Sequence, residues 1–205
     1  KHPQLSKENI WSLAQDKSEN VWIGTYGQGL FQLSLKNNKI VNHDILKAII
    51  ISQSRNFIKS LLVDDKNNLW IGTWGVGLAR FNLSNKELTH YHHESNNNKS
   101  ISHDDVWVIY QDSKSRIWIG TSGGGLNLFD QSNGGIFYRL DSDSQNQQGL
   151  NSNSIYSICE SSINTNSDDE TILWIGTSNG LNKIVIDNLA SINSPLPKIK
   201  KAMHY

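Results

Sequence analysis

The chain has 205 residues, with nineteen Lys plus Arg balanced by nineteen Asp plus Glu, and one cysteine, Cys159. That balance leaves no basic excess to attract nucleic acid or an anionic membrane, and a lone cysteine excludes an intrachain disulfide. No stretch approaches the roughly 18 apolar residues of a membrane-crossing helix; runs such as residues 48–51 are far too short, and a start at Lys1 without Met or a signal-like segment reads as a piece of a longer protein.

The segments follow one order four times. The first repeat sets an apolar strand over 10–16, a Trp strand over 21–25, a Gly-Leu strand over 30–35 and a last strand over 39–44. The second places them at 58–64, 69–73, 78–83 and 87–93, and the third at 106–112, 117–121, 126–130 and 136–140. In the fourth they fall at 155–161, 173–177, 181–187 and 198–205, with seven extra residues inside 161–172 and a longer connection over 188–197. Each segment is short, rich in Val, Ile, Leu and aromatics, and bounded by Asn, Asp, Ser or Gly. This pattern reads as antiparallel strands joined by tight turns.

Trp22, Trp70, Trp118 and Trp174 stand 48, 48 and 56 residues apart, the period of a four-stranded propeller blade. The expected fold is all-β: a β-propeller-type repeat of four four-stranded antiparallel blades, at about residues 9–46, 57–93, 105–141 and 154–205, forming a fragment of a larger propeller. Bulky first-strand residues such as Trp107 and Tyr110 would crowd a four-fold axis, which favours an open arc over a closed ring. Side chains alternate along a strand, so Trp22 and Gly24 share a face. Each flat indole is expected to lodge against the Trp-Ile-Gly-Thr glycine of the next blade. The second glycines, Gly29, Gly77, Gly125 and Gly180, are expected to supply positive φ or a close approach. These constant residues read as packing rather than as a site.

Specificity is then expected where equivalent positions differ. One column lies four residues after each Trp: Tyr26, Trp74, Ser122 and Ser178. The other is the second residue of each first strand: Trp11, Lys59, Trp107 and Tyr156. Antiparallel connectivity brings both columns to the same end of a blade, beside the loops over 47–57, 94–105 and 142–154. Aromatic faces with Asn, Gln and Ser nearby suit stacking on a sugar ring. These eight residues, with His103 before the third blade, are the candidate ligand contacts.

Nothing demands catalysis. There is no G-x-S-x-G, P-loop or H-E-x-x-H, and the Gly-rich segment at 121–126 leads into a strand, so no helix N-terminus is there to hold phosphate. His90, His92 and His93 form an H-x-H-H cluster without further ligands, so neither a metal nor a cofactor is expected. Asp168, Asp169 and Glu170 read as a solvated hairpin tip, and Cys159, in an apolar stretch, as a small buried side chain.

The motif I-x-x-I/L-x-x-D-x-x-x-x-L/V/I-W-I-G-T-x-x-G-G/x-L-x-x-F/L is matched well in 58–81 and 106–129 and more loosely in the first and fourth copies. It resembles the two-component regulator propeller repeat. The resemblance implies a non-catalytic, ligand-sensing extracytoplasmic segment, periplasmic, of a bacterial membrane receptor whose histidine kinase or diguanylate cyclase output lies outside this chain. It further implies a small-molecule or oligosaccharide ligand, and as partners the further blades of the same parent chain or a second copy, with no membrane contact by this segment. Two other readings stay open. One is a lyase or hydrolase similar to the streptogramin lyases, with His103 as base, and the other is a pure protein-interaction scaffold.

Overall fold

The computed structural model describes residues 5, 7–48, 57–131, 134–140, 149–161, 170–188 and 198–205. Within them, sixteen strands form four four-stranded sheets, each taking its strands in chain order. The first sheet holds β1 (Ile10–Gln15), β2 (Asn20–Thr25), β3 (Leu30–Ser34) and β4 (Lys39–His43). The second holds β5 (Ile58–Val63), β6 (Asn68–Thr73), β7 (Leu78–Asn82) and β8 (Leu88–Tyr91). The third holds β9 (Val106–Gln111), β10 (Ile117–Thr121), β11 (Leu126–Asp130) and β12 (Ile136–Leu140). The fourth holds β13 (Ile155–Glu160), β14 (Glu170–Thr177), β15 (Gly180–Asp187) and β16 (Lys198–His204). The all-β, antiparallel, propeller-type expectation is met. One unforeseen element, a 3-10 turn over Asp44–Ala48, brings Leu46 into the core. Residues 49–56, 141–148, 162–169 and 189–197 lie outside the described residues, and with them much of the loops expected over 47–57 and 142–154 and the tip at Asp168 and Asp169.

Two compact units divide the chain: Lys1–His93 with Asp104–Ile109, and Glu94–His103 with Tyr110–Tyr205. In the first unit, alternation decides the packing. The β2 face bearing Trp22 meets the opposite-parity face of the second sheet, formed by Leu61, Leu69, Ile71, Ala79 and Phe81, with Leu30 and Ile58 in the same cluster. Trp22 is 2% exposed and Trp70 1%. Burying one such ring transfers roughly 200 Å² from water, worth about 5 kcal/mol before entropy is counted.

Each buried indole also needs an acceptor for its N–H. Trp22 Nε1 donates to Asp16 Oδ2 at 2.9 Å, and Asp16 Oδ1 accepts the backbone N–H groups of Ser18 and Asn20, both at 2.9 Å. Asp64 repeats this for Trp70 Nε1 at 2.8 Å and Asn68 N at 2.8 Å. In the second unit Asp112 does so for Trp118 Nε1 at 2.8 Å and Arg116 N at 2.9 Å, with Arg116 Nε at 2.6 Å. The turns close through left-handed residues, Glu19, Asn67 and Ser115, at φ 63°, 63° and 60°. The motif aspartate thus ties the hairpin turn to the tryptophan six residues later. Burial pushes the Asp16 carboxyl up, but hydrogen bonds from Asn20, Trp22 and Ser18 outweigh it and hold the group below its ordinary value.

The proposed lodging of indole against glycine is corrected. Trp22 and Gly24 look the same way, so neither can be the other's neighbour across an interface. A β-carbon on Gly24 would instead lie 2.6 Å from Ile58 Cγ2, and one on Gly72 2.7 Å from Val106 Cγ1. Ser12 and Ser60 of the paired strands fill the rest of each recess. The glycine therefore admits the first residue of the next repeat's first strand. The second glycines do adopt positive φ, 82°, 86°, 79° and 97° at Gly29, Gly77, Gly125 and Gly180. Gly77 also sits where a β-carbon would strike the Tyr91 carbonyl.

In the second unit, Asn127 and Asn182 pin the segments that precede the first strands. Asn127 Oδ1 accepts from Ser102 N at 3.0 Å, and Asn182 Oδ1 from Asn151 N at 2.9 Å. In the fourth sheet Leu173, Ile175, Ile184 and Ile186 are buried, whereas Trp174 on the reverse face is only half-buried. Cys159, the partner of Trp174 in the ladder, is exposed, which corrects the expectation of a buried thiol. Hydrophobic character does not bury a residue whose sheet face is left open.

Candidate functional site

The candidate contacts begin at an irregularity. Pairing between first and second strands shifts register between Ile10 and Ser12, between Ile58 and Ser60, and between Ile155 and Ser157. The skipped residues are Trp11, Lys59 and Tyr156, three of the four members of one variable column. A bulged residue stands outside the ladder and its side chain is re-aimed. The other column rides on a turn organised by the motif threonine. Thr73 Oγ1 donates to Gly77 O at 2.8 Å and accepts Val76 N at 3.2 Å, and Thr25 does the same with Gly29 O at 2.8 Å and Gln28 N at 3.1 Å. These braces present Trp74 and Tyr26.

Within the first unit the two columns converge. Trp11 lies 4.6 Å from Tyr26 and 6.1 Å from Trp74, ring centre to ring centre. Phe57 closes the circuit, stacked on Tyr26 at 4.4 Å and tilted to Trp74 at 5.9 Å. Lys59 Nζ sits 4.3 Å over Trp11 and 5.7 Å from Trp107. Tyr26 and Trp74 remain 41% and 44% exposed, so two ring faces reach solvent from a braced base. Beside them, Asp104 O accepts Gly77 N at 2.8 Å and Asp104 Oδ1 accepts His93 N at 2.6 Å. The sequence reading missed Phe57, which it placed at the end of a loop; the available signal was an aromatic residue directly before a variable column.

The remaining candidates belong to the second unit. Ser178 Oγ and Ser152 Oγ are 2.7 Å apart, Ser178 N donates to Ser154 O at 3.0 Å, and Ser122 bridges Ser154. Tyr156 is 53% exposed. His103 is half-buried in the segment before β9. The linked serines form a hydroxyl-rich patch, chemically unlike the four-ring surface of the first unit.

Elsewhere in the first unit, His90 Nε2 contacts the Val76 carbonyl at 2.6 Å and the His90 and His92 rings lie 5.6 Å apart. Among the described residues no three His, Cys, Asp or Glu side chains converge on one point. At the opposite end of the first two sheets, a cavity of about 280 Å³ is lined by Asp16, Gln32, His43, Asn67, Phe81 and Lys86, among others. There His43 Nε2 pairs with Gln32 Oε1 at 3.0 Å, and burial, reinforced by the Lys86 charge, holds its imidazole below the usual value.

No curated protein matches the chain. The family profile described as "Two component regulator propeller" matches residues 4–27, 52–75 and 100–123, ending each time just past the Trp-Ile-Gly-Thr motif. Among solved structures, the chain is similar to an extracellular domain described as that of a hybrid two component system of B. thetaiotaomicron. The two share 18% identity at TM-score 0.68, over 96% of this chain and 24% of that one. It is also similar to PorZ, described as a surface component of the type-IX secretion system of Porphyromonas gingivalis. Here identity is 14% and TM-score 0.64, over 96% of this chain and 27% of that one. The chain thus spans about a quarter of the length of either. No described helix is long and apolar enough to cross a membrane. The repeated aspartate-anchored tryptophans, the four-stranded sheets and the three profile matches agree: the chain carries two component regulator propeller repeats and is a fragment of a larger propeller.

Proposed function

We propose that the chain is the ligand-sensing, non-catalytic part of an extracytoplasmic sensor in a bacterial two-component-type receptor, periplasmic in location. A histidine kinase or diguanylate cyclase would carry the output beyond this segment. The ligand is an oligosaccharide, received on the Tyr26 and Trp74 faces. The observation that carries this reading is the closed circuit of Trp11, Tyr26, Phe57 and Trp74, rigid at its base and exposed at two rings. Such rings lose little freedom on binding and offer the flat apolar area that a pyranose face covers. Calorimetry of oligosaccharides selected on a glycan array should give binding that Trp74→Ala weakens tenfold or more, about 1.4 kcal/mol. Unaltered affinity in that variant would remove the aromatic surface from the recognition site.

The partner of the fourth sheet's open face, on this reading, is a further blade of the same parent chain. Gly24 and Gly72 each receive a β-branched residue of the following repeat, Ile58 and Val106, whereas among the described residues only Ser157 lies within 4 Å of a β-carbon placed on Gly176. Cys159 reports on that face. Its thiol should react rapidly with a disulfide reagent in the 205-residue chain and at least tenfold more slowly in a chain carrying the parent's next blade. Equal rates would mean that the face stays open.

A further inference from the structure

We infer that the saccharide received by the aromatic surface is acidic, and that Lys59 selects it by holding a carboxylate of one sugar ring. The inference rests on the proposed function above and adds the chemical class of ligand. It starts from one position in three successive first strands: Trp11, Lys59 and Trp107. Two of the three are indoles, and between them stands a cation. The register shift between Ile58 and Ser60 takes Lys59 out of the ladder, so nothing in the pairing of β5 with β6 dictates its identity.

The ammonium lies 4.3 Å over Trp11 and 5.7 Å from Trp107, on the half-buried stem of a strand residue. Among the described residues no carboxylate stands within ion-pair distance of it, unlike Lys47, whose ammonium meets Asp44 at 2.7 Å. The indole faces steady the positive charge but accept none of its three N–H donors in charge-assisted hydrogen bonds. Those donors are left for water or for a ligand anion. A neutral side chain of similar length would fill the same space without desolvating a charge. Trp11 joins the two features, because the ring under the ammonium is also in contact with Tyr26 and Trp74. A sugar stacked on the exposed rings is therefore separated from the cation by no more than the Trp11 ring. A carboxylate substituent would convert that proximity into a direct N–H to oxygen contact.

The test uses the 205-residue chain, a panel of uronic acid oligomers of different linkages, and the same oligomers after carboxyl reduction, followed by calorimetry and tryptophan fluorescence at low and high salt. The acidic form of at least one oligomer should bind ten times or more tighter than its reduced counterpart, and salt should narrow the gap. Lys59→Met should abolish the preference by weakening the acidic form far more than the reduced one, and Lys59→Arg should keep it. Trp74→Ala should weaken both forms. Equal binding of acidic and reduced forms, binding of neutral saccharides alone, or a preference that survives Lys59→Met would overturn the inference and leave the aromatic site standing. Absence of binding by every member, with silent fluorescence, would overturn both.

Discussion

Gly72→Val is expected to lower the stability of the folded chain by about 3 kcal/mol or more, read as a fall in the denaturant midpoint. Gly72 lies in β6, all six residues of which are buried. Its added β-carbon would fall on Ser60 Oγ, 2.7 Å from Val106 Cγ1 and 3.0 Å from the Val106 carbonyl. The obstacle includes backbone on the facing strand, so no rotamer change relieves it. Gly72→Ala in a Ser60→Ala background separates the two clashes. It removes the hydroxyl but leaves Val106 in place, and the double variant should still be clearly less stable than Ser60→Ala alone. A wild-type midpoint for Gly72→Val would refute the recess.

The second large effect is at the turn aspartate. Asp16→Ala removes the acceptor of Trp22 Nε1, Ser18 N and Asn20 N together, and a loss of about 2–4 kcal/mol at neutral pH follows from stranding buried donors. The pH dependence has a definite sign. The folded carboxyl sits below its ordinary value of 3.8, so its contribution is fully present above that pH and disappears as pH falls through the folded value. Wild type and variant should therefore converge in acid. A gap that stays constant down to pH 2 would show that the carboxylate charge is not what holds the indole.

Much of this architecture can be read from the chain because the repeats act as an internal alignment. Strand order, the turn glycines and the two variable columns all emerge from comparing Trp22, Trp70, Trp118 and Trp174 with what surrounds them. What comparison hides is contact between features that recur together. Asp16 looks like turn polarity and Trp22 like packing, although the two are one unit joined across a hairpin. The glycine recess was given the wrong occupant because co-occurrence of Trp and Gly suggested mutual contact, whereas strand parity points both the same way. Features found once are harder still. Leu46 enters the core through a short turn that, among the described residues, follows β4 alone, and Phe57 completes the ring circuit from what looked like loop. Cys159 was misjudged for another reason, since its exposure depends on what covers a sheet face rather than on local sequence.

The skipped position in three of the first strands has a consequence for how such proteins diversify. Trp11, Lys59 and Tyr156 place two aromatic rings and a cation at one point of the fold, because a residue outside the ladder contributes little to pairing. If the rim binds ligand as proposed, mutation there would alter its selectivity while the scaffold tolerates the exchange. Duplicating a blade would then add both a structural course and a new, independently variable letter in a recognition alphabet.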